Sequence, residues 1–167
     1  MAETRRMAHA PSREVAIEVL DQQQSLSVDL NTIQSVARNV LKTENVVAAE
    51  LSVVLVNDQI IAEIHGKWLD DPTPTDVITF NLGSSGDDVL RGDIVISVET
   101  AERVSLDLAK TNEGWTSGLE IAYYLVHGIL HLTGYNDKTV EDRQKMRSRE
   151  NTIMKAIGLP LPPHLTS

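Results

Sequence analysis

The sequence predicts one α+β domain of four strands and about five helices. Three observations point to it. Four short runs rich in valine and isoleucine have the length and β-branching of strands. Five longer stretches carry helical spacing or helix-capping signals. A chain of 167 residues, 41 % of them hydrophobic, is long enough to bury one sizeable core.

Residues 1–13 read as a loose tail, and Val15–Leu20 as the first strand. After a polar connection, Asp29 is a plausible N-cap for a helix to Lys42, with Leu30, Ile33, Val36, Ala37, Val40 and Leu41 on its apolar side. Glu50–Val56 is the second strand. Asn57 then caps a helix through about Trp68 that buries Ile60, Ile61 and Ile64. Asp70–Thr75 carries two prolines and reads as a loop. Asp76–Leu82 and Leu90–Ser97 are the third and fourth strands. Only the turn Gly83–Asp88 separates them, which makes them antiparallel neighbours.

A helix follows from Ser97 or Val98 to Lys110, and Thr111–Gly114 breaks it. Ser117-Gly118-Leu119-Glu120 has the spacing of a capping box and opens a helix to about Thr133. Its apolar residues occupy most of the circumference, so it is expected to be buried, with any polar side chains on the floor of a cleft. Thr139-Val140-Glu141-Asp142 resembles another capping box, for a last helix to Ile157. Gly158 ends it, and residues 159–167 form a proline-rich tail.

The chain has no cysteine, so any metal must be held by His, Asp or Glu. No run approaches the ~20 apolar residues of a membrane span, and the N-terminus lacks the apolar core of a signal peptide; a cytoplasmic protein is expected. The net charge of −9 argues against indiscriminate nucleic-acid binding but leaves room for a local basic surface. Between Lys138 and Lys155 six basic residues oppose three acidic ones. That segment is either a solvated helix face or a phosphate-binding patch, with Lys138, Arg143 and Arg147 as the candidate phosphate contacts.

His127 and His131 stand four apart in the buried helix. At ~100° per residue they share one face, one turn apart, the spacing at which two imidazoles can hold one metal ion. Histidines on apolar helices are more often core residues, but a buried pair must satisfy its ring nitrogens. Gly134 stops the helix, and a short turn brings Asp137 back as a third ligand, leaving a fourth position open for water or substrate. Helical zinc peptidases place a general-base glutamate after the first histidine; here that position is Gly128. Glu120, two turns before His127, is either a capping residue or a carboxylate that orients a histidine.

The run His127-Gly128-x-Leu130-His131-Leu132-x-Gly134-Tyr135 resembles the signature of the YbeY family of bacterial rRNA maturation factors. Pro74–Phe80 is similar to the family's Pro-Thr-Asp-Val-Leu-Ser-Phe segment, and Gly92–Ile96 to its Gly-Asp-Ile strand. Met146, Glu150, Ile153 and Gly158 are similar to its last helix. The resemblance covers roughly residues 14–158. It implies a mixed four-stranded sheet with helices in a zincin-like arrangement. It also implies a metal-dependent, single-strand-specific endoribonuclease of 16S rRNA 3′-end maturation and ribosome quality control. The implied cofactor is one Zn2+ or another divalent metal. The implied partners are small-subunit rRNA, the small ribosomal subunit, a ribosomal protein and an assembly GTPase, with no membrane.

Two positions depart from the family pattern. Asp137 replaces the usual histidine ligand, adding a negative charge that should make the bound water less acidic and favour harder ions. Leu69 stands where many members have an arginine, for which Lys67 or Arg91 could substitute. The expected chemistry is metal-assisted phosphodiester hydrolysis, with metal-bound hydroxide or the substrate's 2′-hydroxyl attacking. Asp76 and Asp93 fall at strand ends, Asp93 reading as structural. The alternatives are a ribosome-binding assembly factor with a mainly structural metal, and a metallopeptidase, which the missing glutamate disfavours.

Overall fold

The computed structural model describes residues 14–84 and 86–163. The expected tail over residues 1–13, and the last four residues of the expected C-terminal tail, lie outside them. The elements are β1 (Val15–Asp21), α1 (Leu30–Thr43), β2 (Ala49–Val56), α2 (Asp58–Leu69), β3 (Val77–Asn81), β4 (Leu90–Ser97), α3 (Val98–Ala109), α4 (Ser117–Leu132) and α5 (Val140–Ala156).

The strands form one mixed sheet in the order β1-β2-β4-β3. β1, β2 and β4 are parallel, β1 leading to β2 through α1 and β2 reaching β4 through α2 and β3, whereas the short link from β3 to β4 makes that pair antiparallel. Side chains alternate across the strands, so each sheet face has its own core. Leu51, Val53, Leu55, Ile94 and Ile96 join α1, α3, α4 and α5 in the larger one. Val56, Ile78 and Val95 meet α2 through Ile61 on the opposite face. This is the α+β architecture expected, with helix and strand ends within a residue or so.

The N-caps Asp29, Asn57 and Thr139 each accept a backbone N–H with their side chains, as the sequence suggested. The expected capping box at α4 does not form. Thr116 is the cap and takes the Leu119 N–H, while Ser117 is already helical. Glu120 is buried and accepts from the Trp115 indole Nε1 at 2.7 Å instead of reaching back along the helix.

α4 is buried almost all round and lies directly on β3 and β4. Gly128 permits this approach, because a Cβ there would stand 2.9 Å from Ile94 Cγ2 and 3.3 Å from Thr79 Oγ1. The position that carries the general base in zinc peptidases is thus pressed into the sheet. No side chain at residue 128 could reach the histidine face.

Candidate metal centre

α4 presents His127 and His131 one turn apart, half-buried at 24 % and 26 % side-chain exposure. Their rings meet edge to face, with the two Nε2 atoms 3.0 Å apart. The helix then ends in a Schellman turn at Gly134, whose φ of 109° suits a residue without Cβ. Gly134 N–H donates to His131 O and Tyr135 N–H to Leu130 O. The same turn aims the Tyr135 carbonyl at His131 Nδ1, 3.1 Å away. Two residues on, Asp137 Oδ2 lies 3.7 Å from His127 Nε2 and 3.5 Å from His131 Nε2. Arg143 holds this return segment by donating to the carbonyls of Asp137 and Lys138.

The hydrogen bonds settle the tautomers. A carbonyl only accepts, so His131 Nδ1 carries the proton and its Nε2 presents a lone pair. His127 Nδ1 likewise donates to Glu150 Oε1 at 2.6 Å. With both rings neutral, two lone pairs and a carboxylate converge and no donor lies between them. A divalent cation satisfies that arrangement, as does a proton on one of the two rings. A triangle with edges of 3.0, 3.5 and 3.7 Å has a point about 2 Å from every corner, the Zn–N and Zn–O bond length. His127, His131 and Asp137 form a group able to hold a metal, as expected.

Glu150 enters from α5 and is 2 % exposed. Its second oxygen accepts from the Tyr123 hydroxyl at 2.8 Å. The carboxylate oriented against His127 is therefore Glu150, whereas Glu120 accepts from Trp115. The sequence contained a signal for Glu150: it is the lone acid in the buried stripe of α5 with Met146 and Ile153. Burial alone would lower the pKa of His127. The hydrogen bond and charge of Glu150, aided by Asp76 and Asp137, raise it instead. Burial raises the Tyr123 phenol above its usual range, reinforced by the charge of Glu150, so it remains a donor.

The expected basic surface divides. Arg143 is occupied with the metal loop, Lys145 pairs with Glu141, and Arg149 with Glu44. Arg147 is exposed on the same side of α5 as Arg143 and Glu150, and Lys138 follows Asp137 directly. Leu69 is exposed at the end of α2. Lys67 lies over the Trp68 ring, and Arg91 is engaged by Glu50 and Asp87. Asp93 lies in β4 between Ser52 and Phe80, on the sheet face away from α4. Asp76 precedes β3 and lines a cavity with His127.

The family model Endoribonuclease YbeY matches residues 18–158. The chain belongs to the YbeY family. A Chlamydia pneumoniae Endoribonuclease YbeY is 32 % identical over 84 % of this chain and 89 % of its own length. The Desulforamulus reducens protein of the same name is 33 % identical over 87 % and 99 %, respectively. That of Desulfitobacterium hafniense is 36 % identical over 75 % and 83 %. Among solved structures, the solution structure of TM1509 from Thermotoga maritima shares the fold. Its TM-score is 0.60 at 19 % identity, covering 84 % of this chain and 88 % of that one. No helix among the described residues is long and apolar enough to cross a membrane.

Proposed function

We propose that this YbeY-family chain is a metal-dependent, single-strand-specific endoribonuclease acting in the cytoplasm on the 3′ end of 16S rRNA and in ribosome quality control. The observation that carries the metal dependence is the convergence of His127 Nε2, His131 Nε2 and Asp137 Oδ2 within 3.7 Å of one another. Both imidazoles and the carboxylate suit Zn2+, and the carboxylate also admits a harder divalent ion. When bound, the ion supplies Lewis-acid polarisation of a phosphoryl oxygen and a water acidified towards neutrality.

The protein's own groups do the positioning. Glu150 and the Tyr135 carbonyl fix both rings so that their lone pairs face inward. Arg143 holds the Asp137 return loop. Lys138, next to Asp137 in the chain, and the exposed Arg147 on α5 take phosphates of the flexible strand. A single strand suits the site because its backbone can bend into a half-buried centre and its 2′-hydroxyl is free to attack the adjacent phosphorus. The partners that follow are small-subunit rRNA in the small ribosomal subunit, with a ribosomal protein and an assembly GTPase.

Gly128 argues against a peptidase, since the sheet leaves no space for the missing glutamate. The exposed Leu69 at the usual arginine position favours the second reading, an assembly factor with a mainly structural metal. One assay separates the three. Purified protein is given single-stranded rRNA and casein, with and without chelator, beside His127→Ala. Cleavage of RNA that chelation and His127→Ala both abolish is expected. Casein cleavage would point to the peptidase. No cleavage of either, with rRNA precursors still accumulating in cells lacking the gene, would leave the assembly factor.

A further inference from the structure

Beside the metal centre, where α3, α4 and β3 meet, lies a cavity of about 350 Å³. Tyr123, Tyr124, Val77 and Val104 wall it, and Asp76 and His127 open onto it. The Tyr123 ring is 6.5 Å from the His127 imidazole, so an occupant on that ring would adjoin whatever the metal centre holds. The geometry points to a nucleobase subsite that accepts bases carrying an amino group and disfavours uracil. This rests on the endoribonuclease reading above and names which nucleotide would sit next to the cleaved bond.

The lining decides the class of occupant. No lysine or arginine lines the cavity, so a phosphate has nothing to neutralise it there. Aromatic and aliphatic walls suit a flat ring, which stacks on tyrosine whatever its sequence. Glu120, the cavity's other carboxylate, is buried and accepts from the Trp115 indole. Asp76 is different. Its Oδ1 accepts from Val77 N–H at 2.7 Å and from Thr75 Oγ1 at 3.3 Å, while Oδ2 has no partner among the described residues. It is a pure acceptor beside an aromatic wall.

Adenine, cytosine and guanine each present an exocyclic amino donor on an edge left free in a single strand. Uracil presents one N–H between two carbonyl oxygens, and those oxygens would face a carboxylate. A charge-assisted hydrogen bond of this kind corresponds to a preference of about tenfold or more.

The test uses the metal-loaded full chain with short end-labelled oligoribonucleotides of A, C or U. Cleavage is measured as kcat/KM, and binding by anisotropy with 2′-deoxy versions that cannot be cleaved by their own 2′-hydroxyl. Expected is A and C above U by about tenfold in both measurements. Asp76→Asn keeps the oxygen that takes the Val77 N–H but adds a donor, so the gap should close or reverse towards U while the melting temperature stays put. Equal values for the three oligomers, or an unchanged order in Asp76→Asn, would overturn the subsite. Base-ranked binding without any cleavage would keep the subsite and overturn the endoribonuclease reading instead.

Discussion

Glu150 Oε1 and His127 Nδ1 lie 2.6 Å apart, bringing a carboxylate from α5 and an imidazole from α4 together beneath the metal centre. Tyr123 secures the other oxygen of Glu150, so the ring, the carboxylate and the phenol form one chain of hydrogen bonds. The arrangement fixes the His127 tautomer and adds electron density to the ring that would bind the ion.

Glu150→Gln should therefore weaken metal binding by about 10–100-fold, as such outer partners typically do. The amide can still accept the His127 proton and donate to the Tyr123 oxygen, so the fold should persist. Competition against a chelator of known affinity measures the loss, and excess metal should restore activity. An unchanged affinity with a lower melting temperature would reduce Glu150 to a packing role.

Asp137→Ala should remove a ligand and release the ion, whereas Asp137→His should retain it and move selectivity from Mn2+ towards Zn2+. Elemental analysis of protein purified without chelator reads both. Stoichiometric zinc retained in Asp137→Ala would exclude Asp137 as third ligand.

Gly128→Ala should destabilise the fold by about 1–3 kcal/mol from overpacking, partly offset by roughly 1 kcal/mol of better helix propensity. The added methyl would stand 2.9 Å from Ile94 Cγ2 and force α4 off the sheet. Thermal unfolding checks the direction. Gly128→Glu should unfold the protein rather than make a peptidase.

The pH dependence of the metal-free protein should carry the signature of His127. Its folded pKa is raised above the ordinary 6.5, so the charged ring is favoured by folding. That contribution is complete below the unfolded value and is lost as pH rises through the folded one. Denaturant titrations of wild type and Glu150→Gln should thus diverge in acid and converge in alkali. In the metal-loaded protein the same proton competes with the ion, so affinity should fall as pH falls.

Arg147→Ala should raise KM for single-stranded RNA and lower the salt dependence of binding by about 0.7 in log–log slope, the share of one phosphate contact. Metal content should be unaltered. Arg143→Ala should behave oppositely, loosening the Asp137 segment and weakening metal binding, because its guanidinium holds two carbonyls of that loop. Chelator competition and RNA titration on both variants distinguish these roles.

Much of this was legible in the chain because the causes are local. Asp29 and Asn57 announce their helices through side chains that cap the next turn. The β3–β4 pairing follows from a link too short for a crossover. Spacing alone puts His127 and His131 on one face, and Gly134 ends the helix where Asp137 can return. The failed capping box shows the limit. Glu120 had the right spacing, but a buried indole N–H from Trp115 offered it a better partner than an exposed helix end.

The sequence by itself determined the elements, the histidine pair and its carboxylate, since each depends on residues within a dozen positions of one another. Tertiary structure alone decided that Glu150 meets His127 and that Asp76 opens onto a cavity beside the centre. Those relationships join α4 to α5 and to the entry of β3, far apart in the chain. Only packing both sides of α4 at once, with Gly128 flush against the sheet, fixes where such distant side chains meet.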